Sequence, residues 1–179
     1  MSITIRKAVV EDLSAVAEIY DHIHTEAEAG RAVTGWIREI YPTAETAQAA
    51  LERGELFVEE LDGRIVGTAI LNQTQVDVYA DTPWQFEAPD DQVMVMHTLV
   101  IDPYVKGRGL GKAFLAYYEQ YARENGCSVL RIDTNARNKD ARAVYAKLGY
   151  REAAILPCVF GGIPDVDLVM LEKKLNQDA

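Results

Sequence analysis

With 179 residues, 49% of them apolar and 26% charged, the chain is long enough for one compact domain over residues 1–179, and its composition excludes disordered and fibrous classes. Asp and Glu outnumber Lys and Arg by 28 to 18, a formal charge of −10 that works against a phosphate backbone, so no nucleic acid partner is expected. The same excess reads either as a device for solubility or as a surface suited to a cationic substrate.

Met1 is followed by Ser-Ile-Thr-Ile-Arg, without a basic stretch leading into an apolar one, and no apolar run approaches the roughly 20 residues that span a bilayer. Neither a secretory leader nor a membrane partner is expected. Ile3-Thr4-Ile5-Arg6 alternates as a short strand, and from Glu11 the residues Leu13, Val16, Ile19 and Tyr20 fall three or four apart, on one face of a helix to about Glu26. Residues 27–42 lack periodicity, and Thr43 can cap a second helix that stops at Gly54. Asp62-Gly63 between Leu56-Phe57-Val58 and the apolar run 65–71 predicts an antiparallel hairpin. Residues 72–91 read as a surface loop or frayed hairpin, before a mostly apolar strand over 93–101.

Leu110, Phe114, Tyr117, Tyr118 and Tyr121 repeat as one helical face that stops at Asn125-Gly126. A strand at 129–132 follows, then a helix carrying Ala141, Val144, Tyr145 and Leu148 and closed by Gly149, then short strands at 152–157 and 166–172. Alternating elements of this kind build a single α/β layered domain with a mixed sheet. Cys127 and Cys158 stand alone, so neither a disulfide framework nor a metal site is expected, and the reducing cytoplasm is the expected compartment.

The chemistry-bearing motif is Lys106-Gly107-Arg108-Gly109-Leu110-Gly111-Lys112, between an apolar strand and an amphipathic helix. Consecutive backbone N–H groups at such a turn can meet an anion, and glycine lets phosphate oxygens approach the main chain. A Walker loop would need Gly at position 106 and Ser or Thr at 113, where Lys and Ala stand, and glycines two apart do not make the dinucleotide fingerprint.

The loop instead resembles the pyrophosphate loop of the GNAT N-acetyltransferases, R/Q-x-x-G-x-G/A, with Lys106 at the first position. His97-Thr98-Leu99-Val100-Ile101-Asp102-Pro103 is similar to that family's fourth strand, and Asn135-Ala136-Arg137-Asn138 with Tyr145-Ala146-Lys147-Leu148-Gly149-Tyr150 is similar to its asparagine, helix and Y-x-K-L-G-[FY] ending. The resemblance covers essentially the whole chain. It implies a mixed, mostly antiparallel central sheet of about seven strands flanked by about four helices, with acetyl-CoA as acetyl donor and no metal. Leu99, Val100, Ile101, the loop residues Lys106 to Lys112, Asn138 and Tyr145 are then the cofactor-binding candidates. Taken singly, Asn138 reads as an N-cap and Tyr145 as a core tyrosine; the ordered motifs favour cofactor roles.

Direct transfer to an amine requires removal of the amine's proton, stabilisation of an oxyanion and return of a proton to the thiolate. By resemblance, a backbone N–H near Leu99 meets the oxyanion and Tyr145 is the acid. The base is open, because Val95 stands where some family members carry glutamate. His97, on the same side of the strand, is the leading base candidate, with a core histidine as the equal alternative; His22 and His24 diverge on their helix and form no chelating pair. Trp36, Tyr79 and Trp84 are candidate aromatic walls for an amine entering between residues 31–41 and the loop containing Tyr79 and Trp84, with anchoring of long loops as the alternative. The acceptor is a small-molecule amine or a peptide amine, and a cationic one suits the charge. A non-catalytic acetyl-CoA sensor is the competing reading, against which the acid Tyr145 counts. Oligomeric state is open, a homodimer included.

Overall fold

The computed structural model of the chain describes residues 1–176. Its elements run β1 (Ile3–Lys7), α1 (Leu13–Glu28), α2 (Ala44–Glu52), β2 (Leu56–Leu61), β3 (Arg64–Asn72), β4 (Val93–Ile101), α3 (Leu110–Glu124), β5 (Val129–Asn135), α4 (Lys139–Lys147), β6 (Arg151–Phe160) and β7 (Ile163–Lys174). They form one seven-stranded sheet in the order β1-β2-β3-β4-β5-β7-β6. Every neighbouring pair is antiparallel except β4 with β5.

The local signals act as expected. Asp62 and Gly63 both take positive φ, 50° and 84°, the backbone of a primed hairpin turn whose twist suits the strands it joins. Thr43 flanks α2, with its N–H donating to Thr46 Oγ1 at 3.0 Å, and α1 is entered through a 3-10 turn at Val10–Asp12. Strand alternation then sorts the core onto two faces. Phe57, Met94, Met96, Leu130 and Ile132 pack with Phe114 and Tyr118 of α3. Leu56, Val58, Ile70 and Val100 pack with Val16 and Ile19 of α1 and with Ala47 and Ala50 of α2. No helix among the described residues is long and apolar enough to cross a membrane.

Residues 73–92 depart from the expected surface loop or frayed hairpin. They carry 3-10 turns at Asp77–Asp81 and Asp90–Gln92, and they bury Tyr79 against Val93, Val95, Val129 and Met170. Two interactions hold the segment down. Trp84 lies edge-on to Tyr79 at 5.2 Å and donates its Nε1–H to the Tyr79 carbonyl, with the Arg131 guanidinium 4.1 Å above its ring. The carboxylate of Glu172, fully buried on β7, accepts the N–H groups of Gln85 and Phe86 and pairs with Arg151 at 2.6 Å. Capturing backbone donors on a buried charge is what lets an aperiodic stretch pack. Strands β6 and β7 also run beyond the expected 152–157 and 166–172, because their ladder continues to a pair of Phe160 with Ile163 at the turn.

Glu59 on β2 has no comparable partner. It is fully buried, neither carboxyl oxygen has a hydrogen-bond partner among the described residues, and it presses on Gly67. Burial alone pushes its pKa up to about 7, against about 4.3 in an unfolded chain. Between those values the folded chain keeps a proton that the unfolded chain has released, so stability falls as pH rises through that window and levels off above it. Glu59→Gln is therefore expected to raise Tm at pH 8 by a few degrees, at ~2–4 °C per kcal/mol, and to leave it unchanged at pH 4. Calorimetric scans of both proteins across that range check the slope.

Candidate active site

The parallel ladder between β4 and β5 starts at Val93 with Val129 and ends at Met96 with Ile132. Beyond that rung the strands part. On the β3 side, Ile70 pairs with His97 and Thr68 with Val100, leaving Thr98 and Leu99 opposite Ala69 alone. This is a β-bulge, with Thr98 in the left-handed region at φ 54°, a conformation that a β-branched residue adopts only where its surroundings hold it. The Thr98 hydroxyl is hydrogen-bonded to the Tyr41 hydroxyl from the loop between α1 and α2. Main-chain groups of residues 98–101 on the β5 side are thereby left free of that ladder, facing a cavity of about 260 Å³.

The cavity is lined by Thr98, Leu99, Val100 and Ile101 of β4, by Gly111 and Leu115 of α3, by Asp133 and Asn135 of β5, and by Asn138 and Tyr145 of α4. Residues 102–109 lead from β4 to α3, with Gly107 and Gly109 at φ 76° and 68° and open space where either Cβ would lie. Gly109 is the N-cap of α3, so the next N–H groups lack partners within the helix and carry its positive end. Lys106, Arg108 and Lys112 are exposed around this turn, whereas Leu110 turns into the core and is 3% exposed. The geometry is that of an anion cradle at the mouth of a mostly apolar cleft. Asn138 caps α4 by accepting the Ala141 N–H at 3.1 Å. Tyr145 is 9% exposed and edge-on to Tyr150, and burial, reinforced by the Asp133 carboxylate, raises its pKa so that it keeps its proton.

The structure does not bring the other sequence candidates together in the same way. His97 does not line the cavity: its Nε2 lies 2.7 Å from Asn72 Oδ1, and burial lowers its pKa to about 4. The base expected there lacks the position. Tyr79 and Trp84 are packing residues of the pinned segment rather than cavity walls, and only Trp36 of the three aromatics lines the cavity. A second groove, about 660 Å³, runs between residues 27–38 and the first residues of β7, sharing Thr34, Gly35, Trp36, Asn135 and Val166 with the first. An amine entrance walled by Tyr79 and Trp84, as expected, is therefore not formed, since neither residue lines the cavity or the groove. Gly35 is required there, since a Cβ would sit 2.1 Å from Asn135 Nδ2.

Asp133 lines the cavity with Thr98 and Asn135, and of the three it alone stands outside every motif in the sequence. Asp133 receives the Tyr79 hydroxyl hydrogen bond on Oδ2 at 2.7 Å, and burial raises its pKa to about 6. The sequence carries one trace of it, an acid directly after the apolar strand 129–132 and five residues before Asn138.

Residues 15–150 match the model of the acetyltransferase (GNAT) family. The chain belongs to the GNAT family. An uncharacterized N-acetyltransferase of Methanocaldococcus jannaschii is 26% identical over 159 residues, covering 86% of this chain and 62% of that relative, so the chain spans somewhat under two thirds of its length. Glucosamine 6-phosphate N-acetyltransferase of Trypanosoma brucei brucei is 29% identical over 140 residues, 78% of this chain and 83% of the relative. The fold matches that of yncA from Salmonella typhimurium, solved with its cofactor acetyl-CoA, at a TM-score of 0.69 and 20% identity, over 100% of this chain and 97% of that one. Acetyl-CoA, the cofactor of that structure, carries an anionic diphosphate and an amide-bearing pantetheine arm, the chemistry that an anion cradle at the mouth of a cleft would match.

Gly111 tests that match. Its Cβ would have only Ile101 Cγ1 nearby, at 3.9 Å, so the fold accepts a side chain that then enters the cleft. Gly111→Phe is expected to keep a cooperative thermal transition and to weaken acetyl-CoA binding at least ~10-fold, because a ring displaces ligand from contact with α3. Isothermal calorimetry on the folded variant reads this directly.

Proposed function

We propose that this chain transfers the acetyl group of acetyl-CoA to a primary amine by direct attack in a ternary complex, with Tyr145 protonating the departing thiolate. The observation that carries the reading is the parted β4–β5 seam, whose cavity is lined both by Gly111, next to the anion cradle, and by a buried, protonated tyrosine. A thioester laid along β4 presents its carbonyl to the main chain near Leu99, where a backbone N–H meets charge developing on oxygen. Its sulfur then lies toward α4, which bears Tyr145. Tyr145→Phe is expected to keep acetyl-CoA affinity and to lower turnover by ~10²–10⁴, the usual effect of losing an acid. Wild-type turnover in that variant would return Tyr145 to a packing role.

The second groove supports an acceptor longer than a simple amine. Its rim carries Glu28, Asp165 and Asp167 against Arg38 and Arg137, and Arg38 is already engaged by Glu28 and Asp21. Asp165 and Asp167 remain exposed, which with the chain's net negative charge favours a cationic acceptor. Four amines separate the options: spermidine, a lysine-rich peptide with a free amino terminus, glucosamine, and glucosamine 6-phosphate, the last two prompted by the trypanosomal relative's name. Thiol release from acetyl-CoA is expected to be fastest with a cationic amine, with an apparent KM that rises with salt. Preference for the phosphorylated sugar, or a KM indifferent to salt, would overturn the charge assignment.

A further inference from the structure

We propose that Asp133 is the general base that takes the acceptor amine's proton and that Tyr79 is the residue that positions it, an assignment that rests on the acetyl-transfer reading above. Asp133 is the first residue of β5 beyond the last rung shared with β4, so it stands where the sheet opens. Among the described residues it is the sole carboxylate lining the cavity, and it shares that lining with Leu99 and Tyr145. The alternatives are placed elsewhere. His97 is tied to Asn72 outside the cavity, and Val95 offers no titratable group.

The carboxylate is held in one orientation. Tyr79, buried beneath β5, donates to Oδ2, and no described residue donates to Oδ1, which leaves that oxygen for an ammonium group in the cavity. The titratable groups that face Asp133 are Tyr41 from the loop between α1 and α2, Tyr79 from the first 3-10 turn, Tyr145 from α4 and Cys158 from β6. None of the four is a cation. Its neighbours on β4 and β7, Met96, Thr98 and Met170, are uncharged. Desolvation without a counter-charge raises the proton affinity of Asp133 to the range of a working base, about 6, while its own field helps to keep Tyr145 protonated. Two groups in one cavity with proton affinities pushed apart are suited to be base and acid.

The proton inventory closes. An ammonium acceptor gives one proton to Asp133, and its freed lone pair forms the C–N bond at the thioester carbonyl. As the C–S bond breaks, the sulfur takes a proton from Tyr145, and the second nitrogen proton passes through water to the Tyr145 phenolate, which regenerates the acid. Of the two protons leaving nitrogen, one balances the proton delivered to sulfur, and the other leaves Asp133 for solvent. The products are the amide and the free thiol.

The test uses the full chain, acetyl-CoA, and whichever of the four amines named above wild type acetylates fastest. Wild-type kcat/KM is expected to show an acidic limb near pH 6. Asp133→Asn is expected to lose turnover by ~10²–10⁴ and to lose that limb, with acetyl-CoA affinity retained by calorimetry and partial rescue in Asp133→Glu. Tyr79→Phe removes a hydrogen bond that favours the carboxylate, so the limb is expected to move upward by at least ~0.5 pH unit, a shift that a loss of packing alone would not produce. Turnover of Asp133→Asn at the wild-type rate with the limb in place would overturn the assignment. Should Asp133→Asn fail to fold, an unmoved limb in Tyr79→Phe overturns it and an upward shift supports it. Failure of wild type to acetylate any of the four amines would sink the transferase reading itself, and the base with it.

Discussion

Parallel pairing between β4 and β5 stops after four residue pairs, and the rest of the molecule is arranged around that interruption. A sheet that opens leaves backbone polar groups needing partners, because a buried peptide group without one costs as much as a lost hydrogen bond. Two devices hold the opening in place. On the α3 side, the fully buried Tyr118 hydroxyl donates to the Met94 carbonyl at 2.6 Å, with the Arg131 carbonyl 3.1 Å away, so the seam is braced just before it divides. On the α1 side, the bulge at Thr98, tied to Tyr41, turns β4 away from β5. On the proposed reading, the amide-rich pantetheine arm would pair with those free main-chain groups.

Three carboxyl groups, Glu172 and Glu59 fully buried and Asp133 half-buried, show how the same residue chemistry is put to different uses. Glu172 is surrounded by donors, namely two backbone N–H groups and Arg151, and it fixes a long loop. Asp133 has one donor and an otherwise dry setting, which leaves it reactive. Glu59 has none and is a cost to the fold. The number of hydrogen-bond donors around each carboxyl separates these outcomes. A supporting shell matters as much as the carboxylate it holds, and Tyr79 beneath Asp133 belongs to that shell.

Whatever depends on a few neighbouring residues was legible in the sequence. The Asp62-Gly63 turn, the stripe from Leu110 to Tyr121 and the positive-φ glycines at 107 and 109 each carry a local geometric requirement, and the anion cradle is built from such pieces. The opposite walls of the cavity are not. His97 shows the limit of strand parity, which gives the face on which a side chain lies but not how far along that face the cavity reaches. Tyr79 and Trp84 lie in a segment without period, and their roles are set by Asp133, Arg131 and Glu172, about 50 to 90 residues away in the chain. Asp133 itself could be recognised only once β5 was known to be the strand that parts from its neighbour, a fact of topology that no window of sequence contains.

The short seam also divides the sheet mechanically. Strands β1 to β4 form one antiparallel ribbon and β5, β7 and β6 another, joined through four residue pairs of parallel ladder. An occupant of the gap touches both ribbons, since its walls come from β4 on one side and from β5 and α4 on the other. It therefore acts as a staple across the weakest line of the fold, and every contact it makes on both sides is repaid as resistance to global unfolding in proportion to ln(1 + [L]/Kd). Any ligand seated there would therefore protect the fold as its concentration rises above its Kd.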